Sequence, residues 1–320
     1  MKHYDTGELE EARGPLVAFP SLSRKAIRRW LQRLGFSDFL FVLPALLIYG
    51  GVVLYPLTSM FYLSVFSWDG LSPSKTFVGL ANYLQLLADP IFFVTLRNAL
   101  IWIIFGTALG LIVGLGLALL VNQRLRGTTI FRTIYFLPGT VSVIVVGQVW
   151  GWIYQSDYGV LNSYLGALGL GGLKQAWLGD PSLAIFAAAV VALWYGVGFN
   201  MMVYLAGLQT IPGEILEAAQ VDGANSWQRL RKVTVPLLLP QTITLTILGV
   251  IGTLSQFTLL YVLTEGGPAY QTELPSLYVF HQAFTLSQQG YASAISAIIF
   301  LLCLVITVLQ LHVYRRYQGY

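Results

Sequence analysis

Residues 217–240, EAAQVDGANSWQRLRKVTVPLLLP, carry the densest group of charges that lies between two long apolar stretches of this chain. The residues just before them predict a short helix over 212–219, because Pro212 suits a first helical position, where a missing N–H is tolerated. Glu214 and Glu217 lie towards the positive N-terminal end of that helix, which stabilises acidic side chains. The segment is therefore expected to begin as a short acidic helix.

A tight turn at Asp222-Gly223 is predicted to end this helix, because glycine accepts the left-handed conformation common at helix C-termini. Ser226 is expected to cap a second helix, with an apolar side that includes Trp227 and basic residues on its other sides. The sequence thus predicts a compact helix–turn–helix knob with an alanine-lined front. For a loop of this kind in general, an interfacial amphipathic helix that only connects two spans is the other interpretation.

The composition is that of a membrane-embedded protein. Of 320 residues, 56% are hydrophobic and 10% are charged, whereas charged residues make up about a quarter of a soluble domain. The net charge of +4 requires no nucleic-acid partner, because cytoplasmic loops of membrane proteins are basic. Cys303 is the single cysteine, which excludes an intramolecular disulfide, and its apolar surroundings indicate a helix-packing role.

Six segments are long and apolar enough to cross a lipid bilayer. They cover residues 39–66, 98–120, 134–154, 183–208, 242–263 and 292–313. The predicted fold class is an all-α integral membrane protein with six transmembrane helices. The predicted domains are an N-terminal tail (1–36) and a transmembrane domain (37–320) that contains a loop at 209–240. Gly106, Gly110 and Gly114 form a small-residue face for helix packing, and Pro44, Pro56 and Pro138 are candidate bends.

The basic residues are distributed unevenly between the two sets of connections. With the N-terminus inside, fifteen of the 18 Lys and Arg residues fall on the cytoplasmic side and three, Lys75, Arg97 and Lys174, fall outside. The positive-inside rule therefore predicts cytoplasmic N- and C-termini. It also places the 209–240 loop in the cytoplasm and the connections 67–97, 155–182 and 264–291 outside.

Eight residues of the quoted stretch stand at the spacing of a known family motif. They are Glu217-Ala218-Ala219, Asp222-Gly223-Ala224, Val233 and Pro236. This arrangement closely resembles the EAA loop of binding-protein-dependent ABC importer permeases. Three flanking stretches resemble the sugar-importer branch of that family: FVGLANY at 77–83, GLQTIP at 207–212 and TEGGP at 264–268. The resemblance covers the chain from about residue 37 to its end.

The resemblance implies the type I importer permease fold and a coupling helix that docks into a cleft on a separate ATPase subunit. Small side chains would allow the ATPase subunit to approach the coupling helix closely, while carboxylates would form charged contacts across the interface. The coupling residues implied are Glu214, Glu217, Ala218, Ala219, Asp222, Gly223 and Ala224. The implied complex lies in the bacterial plasma (inner) membrane. It contains a second permease, expected to form a heterodimer with this chain, an ATPase dimer that binds ATP and Mg²⁺, and an extracytoplasmic solute-binding protein.

The spans carry polar and aromatic residues suited to a neutral, hydroxylated ligand. Aromatic faces stack on sugars, and amide and hydroxyl groups exchange hydrogen bonds with sugar hydroxyls. In maltose-type permeases the sugar contacts come from the spans on either side of the EAA loop. Matching positions here are Tyr195, Gly196, Thr253 and Gln256, and Asn200 joins them as a polar residue of the same span. The alternative is that such polar residues hold transmembrane helices together.

No Asp, Glu, Lys, Arg or His lies in the middle of a predicted span, which disfavours an ion-coupled carrier. The chain contains no Walker-type phosphate-binding motif, so ATP hydrolysis is expected on a partner. Neither a metal-ligand cluster nor a nucleophile–base pair is recognisable, so no enzyme activity, cofactor or metal is expected on this chain. Two alternatives remain: an ABC permease for another solute, such as glycerol phosphate or a polyamine, and a carrier or channel without an ATPase.

Overall fold

A computed structural model of the protein describes residues 36–123 and 127–318. The predicted N-terminal tail, apart from Phe36, and the basic residues at 124 and 126 lie outside the described residues. Contacts divide the chain into two units, Met1–Ser59 and Met60–Tyr320. Helix α1 (Phe36–Tyr49) continues through a π-helical turn (Gly50–Leu54) into α2 (Tyr55–Leu63).

The remaining elements in the described part of the chain are helical except for one short strand pair. Strands β1 (Phe66–Ser67) and β2 (Thr76–Phe77) are antiparallel, with Phe66 opposite Phe77. The helices that follow are α3 (Ala81–Leu87), α4 (Pro90–Trp102), α5 (Leu109–Val121), α6 (Thr128–Phe136), α7 (Val143–Ile153), α8 (Val160–Ala167), α9 (Ala184–Gln209), α10 (Gly213–Val221), α11 (Ser226–Arg229), α12 (Val235–Leu237), α13 (Leu239–Leu254), α14 (Thr258–Thr264), α15 (Pro275–Phe280) and α16 (Gln289–Gln318). The predicted all-α membrane fold is confirmed, with this strand pair as a small addition.

Among the described residues, four helical stretches are long and apolar enough to cross a membrane without interruption. They are Leu40–Leu63, Pro90–Val121, Ala184–Gln209 and Gln289–His312, and the second includes a π-helical turn at Ile103–Ala108. Two bent helix pairs bring the number of candidate spans to as many as six. The second of the predicted spans begins earlier than expected, at Pro90, because the Asp89 carboxylate accepts hydrogen bonds from the backbone N–H of Ile91 and Phe92 and so caps α4.

The span predicted over 134–154, with a candidate bend at Pro138, and the span predicted over 242–263 are both broken. The first bends by 96° between α6 and α7, at a short 3₁₀ turn over Leu137–Thr140 that contains Pro138. The second ends as a helix at Leu254 and resumes at Thr258. There the Ser276 hydroxyl donates to the Leu254 carbonyl at 2.7 Å, so a residue distant in sequence satisfies a carbonyl at the end of α13.

Helices α5 and α9 pack along the glycine face predicted in the second span. A Cβ atom at Gly114 would lie 2.6 Å from the Asn200 Cβ, and one at Gly110 would lie 3.1 Å from the Asn200 Nδ2. Ala118 and Met201 are fully buried in the same interface. Small residues therefore let the two helix backbones approach closely, as expected for that face.

At the end of α13 opposite the 209–240 loop, here called the far end, one carboxylate connects three segments. The second Asp89 oxygen accepts hydrogen bonds from the hydroxyls of Tyr278 (2.5 Å) and Tyr291 (2.6 Å). These tyrosines belong to α15 and α16, whereas Asp89 caps α4. Asn98, which is fully buried, also donates to the carbonyls of Tyr270 and Glu273. The start of α4 is thus fastened to the connection that precedes α16.

Candidate functional site

The five residues predicted for the substrate pathway lie on the wall of one cavity. It has a volume of about 360 Å³ and is formed by α4, the π-helical turn that follows it, α5, α7, α9, α13 and the first residues after α13. The predicted residues in its lining are Tyr195, Gly196, Asn200, Thr253 and Gln256. The structure therefore brings together side chains that are up to 61 positions apart in the printed sequence.

Helix α9 presents three of them. Gly196 and Asn200 stand four residues apart and so lie on one helix face. No atom lies within 4 Å of a Cβ built at Gly196, so this backbone faces open space. The Tyr195 hydroxyl donates to the Val141 carbonyl at 3.3 Å, a contact that orients the ring.

The end of α13 and the break after it present the other two. Thr253 is 2% exposed, and its hydroxyl donates back to the Gly249 carbonyl at 2.8 Å. Gln256 lies in the three-residue break between α13 and α14. Its side-chain amide makes no hydrogen bond with another described residue. The amide is therefore free to donate to and accept from a ligand.

Sequence reasoning missed part of this wall. Trp102, Gly106 and Gly110 recur every fourth residue and all line the cavity. The Trp102 ring lies 3.4 Å from the position of a Cβ at Gly106, so the indole covers the backbone at that glycine. Trp102 stands four residues before Gly106, on the same helix face as the glycines, and this spacing in the sequence could have indicated that it lies near them. Thr107 and Gly249 also line the cavity, where a Cβ at Gly249 would lie 2.3 Å from the Thr107 Cγ2.

The cavity is electrically neutral. Within the part of the chain that the structure describes, none of the residues that line it carries an ionisable acid or base of the Asp, Glu, Lys, Arg or His type. Its polar groups are amides, hydroxyls and backbone carbonyls, which can bind uncharged polar molecules. No group of three or more His, Cys, Asp or Glu residues is placed to hold a metal ion among the described residues.

The predicted knob is present between α9 and α13, with two corrections at its caps. Pro212 is the residue before α10 rather than its first residue, and α10 extends to Val221. Asn225, not Ser226, caps the second helix: its side chain accepts from the Gln228 N–H, and the Gln228 side chain accepts from the Asn225 N–H. Asparagine ranks with serine as a helix cap, and the glutamine three residues later completes a capping box.

The turn at Asp222-Gly223 has the predicted geometry. Gly223 has φ +80°, and its N–H donates to the Gln220 carbonyl at 3.0 Å. The Ala224 N–H donates to the Ala219 carbonyl, also at 3.0 Å. Together these two bonds form a Schellman motif, in which a left-handed glycine closes the helix.

Most of the predicted coupling residues are exposed. Glu214, Glu217, Ala218, Asp222 and Gly223 are exposed, and Ala219 and Ala224 are half-buried. The same surface exposes two large apolar residues that sequence reasoning did not include in this set, Val221 (87% exposed) and Trp227 (66%). Exposed apolar residues grouped with charges are typical of protein interaction surfaces.

The knob is connected directly to the helices that form the cavity. Near the knob, the Tyr204 hydroxyl of α9 donates to the Thr242 hydroxyl of α13 at 3.1 Å. Three residues further along α9, a Cβ at Gly207 would lie 2.7 Å from the Gln241 Cδ. These close contacts hold the two helices together where the knob joins them.

Comparisons with known proteins agree with this architecture. Residues 110–319 match the family described as binding-protein-dependent transport system inner membrane component. Similar proteins include the trehalose/maltose transport system permease protein MalF of Thermococcus litoralis, 36% identical over 277 residues that cover 87% of this chain and 93% of that protein. Another is the lactose transport system permease protein LacF of Rhizobium radiobacter, 34% identical over 298 residues that cover 92% of this chain and 98% of that protein.

A solved structure with a similar fold is a chain of a bacterial alginate ABC transporter in complex with an alginate pentasaccharide-bound periplasmic protein. The TM-score is 0.76 and the identity 22%, with 91% of this chain and 96% of that chain covered. The family match covers most of this chain, and relatives more than 30% identical align with nearly all of it. The chain therefore belongs to the binding-protein-dependent transport system inner membrane components and is a membrane-embedded transport component of an ABC transporter.

Proposed function

We propose that this chain forms one half of the translocation pathway of an ATP-driven importer for a neutral sugar or oligosaccharide, delivered by a substrate-binding protein. The observation that carries the proposal is the uncharged cavity of about 360 Å³, into which both helices adjoining the knob present polar groups. A cavity of this size is in the range of small-molecule sites in proteins. The proposed pathway residues are Tyr195, Gly196, Asn200, Thr253 and Gln256.

The chemistry of the cavity favours a sugar over a charged solute. Trp102 and Tyr195 provide aromatic surface, and Asn200 and Gln256 provide amides. A polyamine or a glycerol phosphate would need countercharges in the pathway, because an unpaired charge is costly there. The names of the relatives, which refer to trehalose, maltose and lactose, support the same class of substrate.

The knob is proposed to dock on an ATPase subunit in the cytoplasm. This orientation follows from the excess of Lys and Arg on that side of the chain. Glu214, Glu217, Asp222 and Gly223 present charge and an open backbone, and Ala218, Ala219 and Ala224 allow close approach. ATP and Mg²⁺ would bind to the ATPase dimer, and a second permease would complete the pathway.

In this mechanism the knob transmits motion because it is continuous with both helices of the cavity. Closure of the ATPase pair on ATP would displace α10, and the paired ends of α9 and α13 would move with it. The pathway would then open towards the binding protein, accept sugar, and release it inside after hydrolysis. A carrier that works without an ATPase is the alternative, and it gives the exposed knob no role.

The test is ATPase activity of the complex reconstituted in liposomes, with and without sugar-loaded binding protein. We expect loaded binding protein to stimulate the native complex. A Glu217→Lys variant should assemble in the membrane but lose most of that stimulation, because the substitution reverses a charge on the docking surface. The matched control is Gln123→Lys, which changes the charge of an exposed residue outside the knob and at the opposite end of the bundle from the far end, and it should leave stimulation intact.

If no ATPase co-purifies and this chain alone carries sugar down a gradient, the importer proposal is wrong. If stimulation is normal but only a charged solute elicits it, the coupling role stands and the neutral-sugar assignment fails.

A further inference from the structure

A second cavity, of about 330 Å³, lies at the far end, away from the one already described. It is formed where the first long connection, from β1 to α3, meets the start of α16. The Gly290 N–H at the start of α16 donates to the Trp68 carbonyl at 3.1 Å. A Cβ at Gly70 would lie 2.7 Å from the Gln289 Cγ. A backbone hydrogen bond and the close packing of Gln289 against Gly70 therefore hold the walls of the cavity together.

Asn82 provides a hydrogen-bond acceptor in this cavity that no described residue uses. The residue is 7% exposed, and its Nδ2 donates to the carbonyls of Ser64 (2.8 Å) and Phe66 (3.0 Å). These two bonds fix the orientation of the amide. The Oδ1 atom has no hydrogen-bond partner among the described residues, although Asn82 lines the cavity. An amide oxygen can accept hydrogen bonds, so this oxygen is suited to a ligand donor.

The indole of Trp68 provides a fixed aromatic surface beside that acceptor. Its Nε1–H donates to the Ser72 carbonyl at 2.8 Å, and the Lys75 ammonium lies 4.5 Å from the ring centroid. The cation covers one face of the ring. Trp68 also lines the cavity, and aromatic faces stack on the C–H side of sugar rings.

Two exposed amides, from Gln85 and Gln288, stand at the rim of the cavity. Neither side chain forms a hydrogen bond with another described residue. Ser287, which also lines the cavity, has φ +53°, a left-handed conformation that is unfavourable for a residue with a side chain. The rim thus combines free donors and acceptors with a strained backbone position.

The one carboxylate in the lining is kept ionised. Asp69 accepts hydrogen bonds from the Ser72 hydroxyl, the Ser72 N–H and the Leu71 N–H, and these lower its pKa to about 2. A permanent negative charge disfavours anionic ligands such as phosphates or uronic acids. It is compatible with hydroxyl donors, which carboxylates accept well.

We propose that this cavity is a second carbohydrate site, which holds one neutral sugar unit against Trp68 while Asn82 Oδ1 accepts a sugar hydroxyl. The proposal rests on the proposed orientation for one point only, namely that the far end faces the side from which the binding protein delivers sugar. It does not depend on which residues of the main cavity contact substrate. A sugar bound here would lie between the β1–α3 connection and the start of α16.

The test uses ¹⁹F NMR of the assembled transporter in lipid nanodiscs, with 5-fluorotryptophan in this chain. The resonances of Trp68 and of Trp102, which lines the main cavity, are assigned by their loss in Trp68→Phe and Trp102→Phe variants. The probes are maltotriose, trigalacturonic acid and sugar-free binding protein. We expect maltotriose to shift the Trp68 resonance saturably and trigalacturonic acid to leave it in place. A Gln85→Ala/Gln288→Ala variant should bind at this site roughly tenfold more weakly, because two hydrogen bonds are lost.

Three controls separate this site from the main cavity and from protein docking. The Trp102 response should be unchanged in the Gln85→Ala/Gln288→Ala variant, and Gln123→Ala, which alters an exposed glutamine at the opposite end of the bundle, should change neither response. The Trp68 response should persist in Gly196→Leu, in which the main cavity is filled. The proposal is overturned if maltotriose shifts Trp102 but not Trp68, a result that leaves the proposed function intact. It is also overturned if Trp68 responds only to binding protein, or if filling the main cavity abolishes its response.

Discussion

Gly213 and Gly223 belong to the same knob but differ in backbone conformation. Gly223 adopts φ +80°, whereas Gly213 begins α10 without a positive φ, and no atom lies within 4 Å of a Cβ built at either position. A side chain at Gly223 would therefore be strained by its backbone and not by a clash, at a cost of about 1–2 kcal/mol. A side chain at Gly213 would meet neither obstacle.

We expect Gly223→Asp to abolish sugar uptake while the protein still inserts into the membrane. The substitution strains the Schellman turn and adds a side chain to a surface proposed to dock closely. The measurements are sugar uptake by cells and the amount of the chain in the membrane fraction. Gly213→Ala is the control, and it should keep near-normal uptake. Normal uptake by Gly223→Asp would show that the knob does not couple to an ATPase as proposed.

At the scale of single residues, the turn of the knob could be predicted from the sequence, but its helix cap was predicted one residue too late. The turn at Asp222-Gly223 could be predicted because it depends on one conformational preference of one residue. The cap was assigned to Ser226 instead of Asn225, because both residues are good caps and only the reciprocal bond with Gln228 distinguishes them. Gln228 stands three residues after Asn225, which is the spacing of a capping box and favours Asn225 as the cap.

At the scale of elements, the main surprise is the break after α13. Hydropathy is continuous over 242–263, so the sequence predicts an unbroken span. At the break, the Leu254 carbonyl is satisfied by Ser276, which follows it by 22 residues and donates to it. Contacts of that range are not visible in local periodicity. The bend near Pro138, in contrast, has a local cause that was recognised.

The cavity formed by α9 and α13 leads to a prediction based on side-chain size at Gly196. Because a Cβ there meets nothing within 4 Å, Gly196→Ala should fold normally and retain most transport. Gly196→Leu should also insert, since the added atoms enter open space, but it should reduce sugar uptake by roughly tenfold or more by filling the cavity. Uptake and binding-protein-stimulated ATPase activity measure the effect. Equal uptake by the two variants would place the sugar pathway elsewhere.

On the scale of the whole molecule, the far end contains a buried carboxylate that makes stability depend on pH. Glu273 is 1% exposed and lies 2.8 Å from the His281 Nδ1. Burial raises the pKa of Glu273 above its ordinary value of 4.5, and the neighbouring His281 opposes part of that rise. A pKa raised in the folded state contributes stability fully below the ordinary value, and that contribution is lost as the pH rises through the folded value.

We therefore expect the native chain to lose stability relative to a Glu273→Gln variant as the pH rises above 4.5. The variant keeps the shape of the side chain and an acceptor for His281 but cannot ionise. The measurement is the melting temperature of the purified complex across a pH series. Glu265→Gln, an exposed site in the same connection, is the control and should follow the native curve. A constant difference between native and Glu273→Gln at all pH values would contradict the assignment.

The overall architecture of the molecule could be predicted from the sequence, whereas many of its long-range contacts could not. Length and hydropathy were sufficient for a helical membrane protein with up to six spans, because transmembrane helices carry their signal locally. The grouping of Tyr195 with Gln256 was predicted through a family resemblance and not from the residues alone. The far end, with Asp89, Tyr278 and Tyr291, was not predicted, because its members are separated by up to 202 positions.

Helix α9 is uninterrupted, so in the proposed mechanism a tilt would displace its cavity end and its knob end by different amounts. The helix runs for 26 residues from Ala184 to Gln209 without the π-helical turn that interrupts the second span. Gln209 lies 14 residues beyond Tyr195, an arm of about 21 Å at 1.5 Å per residue. A rigid tilt of about 10° pivoted at the level of Tyr195 would sweep Gln209 through about 4 Å while the ring stayed almost in place. In the proposed mechanism, α9 would therefore act as a lever whose long arm reaches the knob, and a displacement of several ångströms at the knob would become a much smaller one beside the proposed pathway residues.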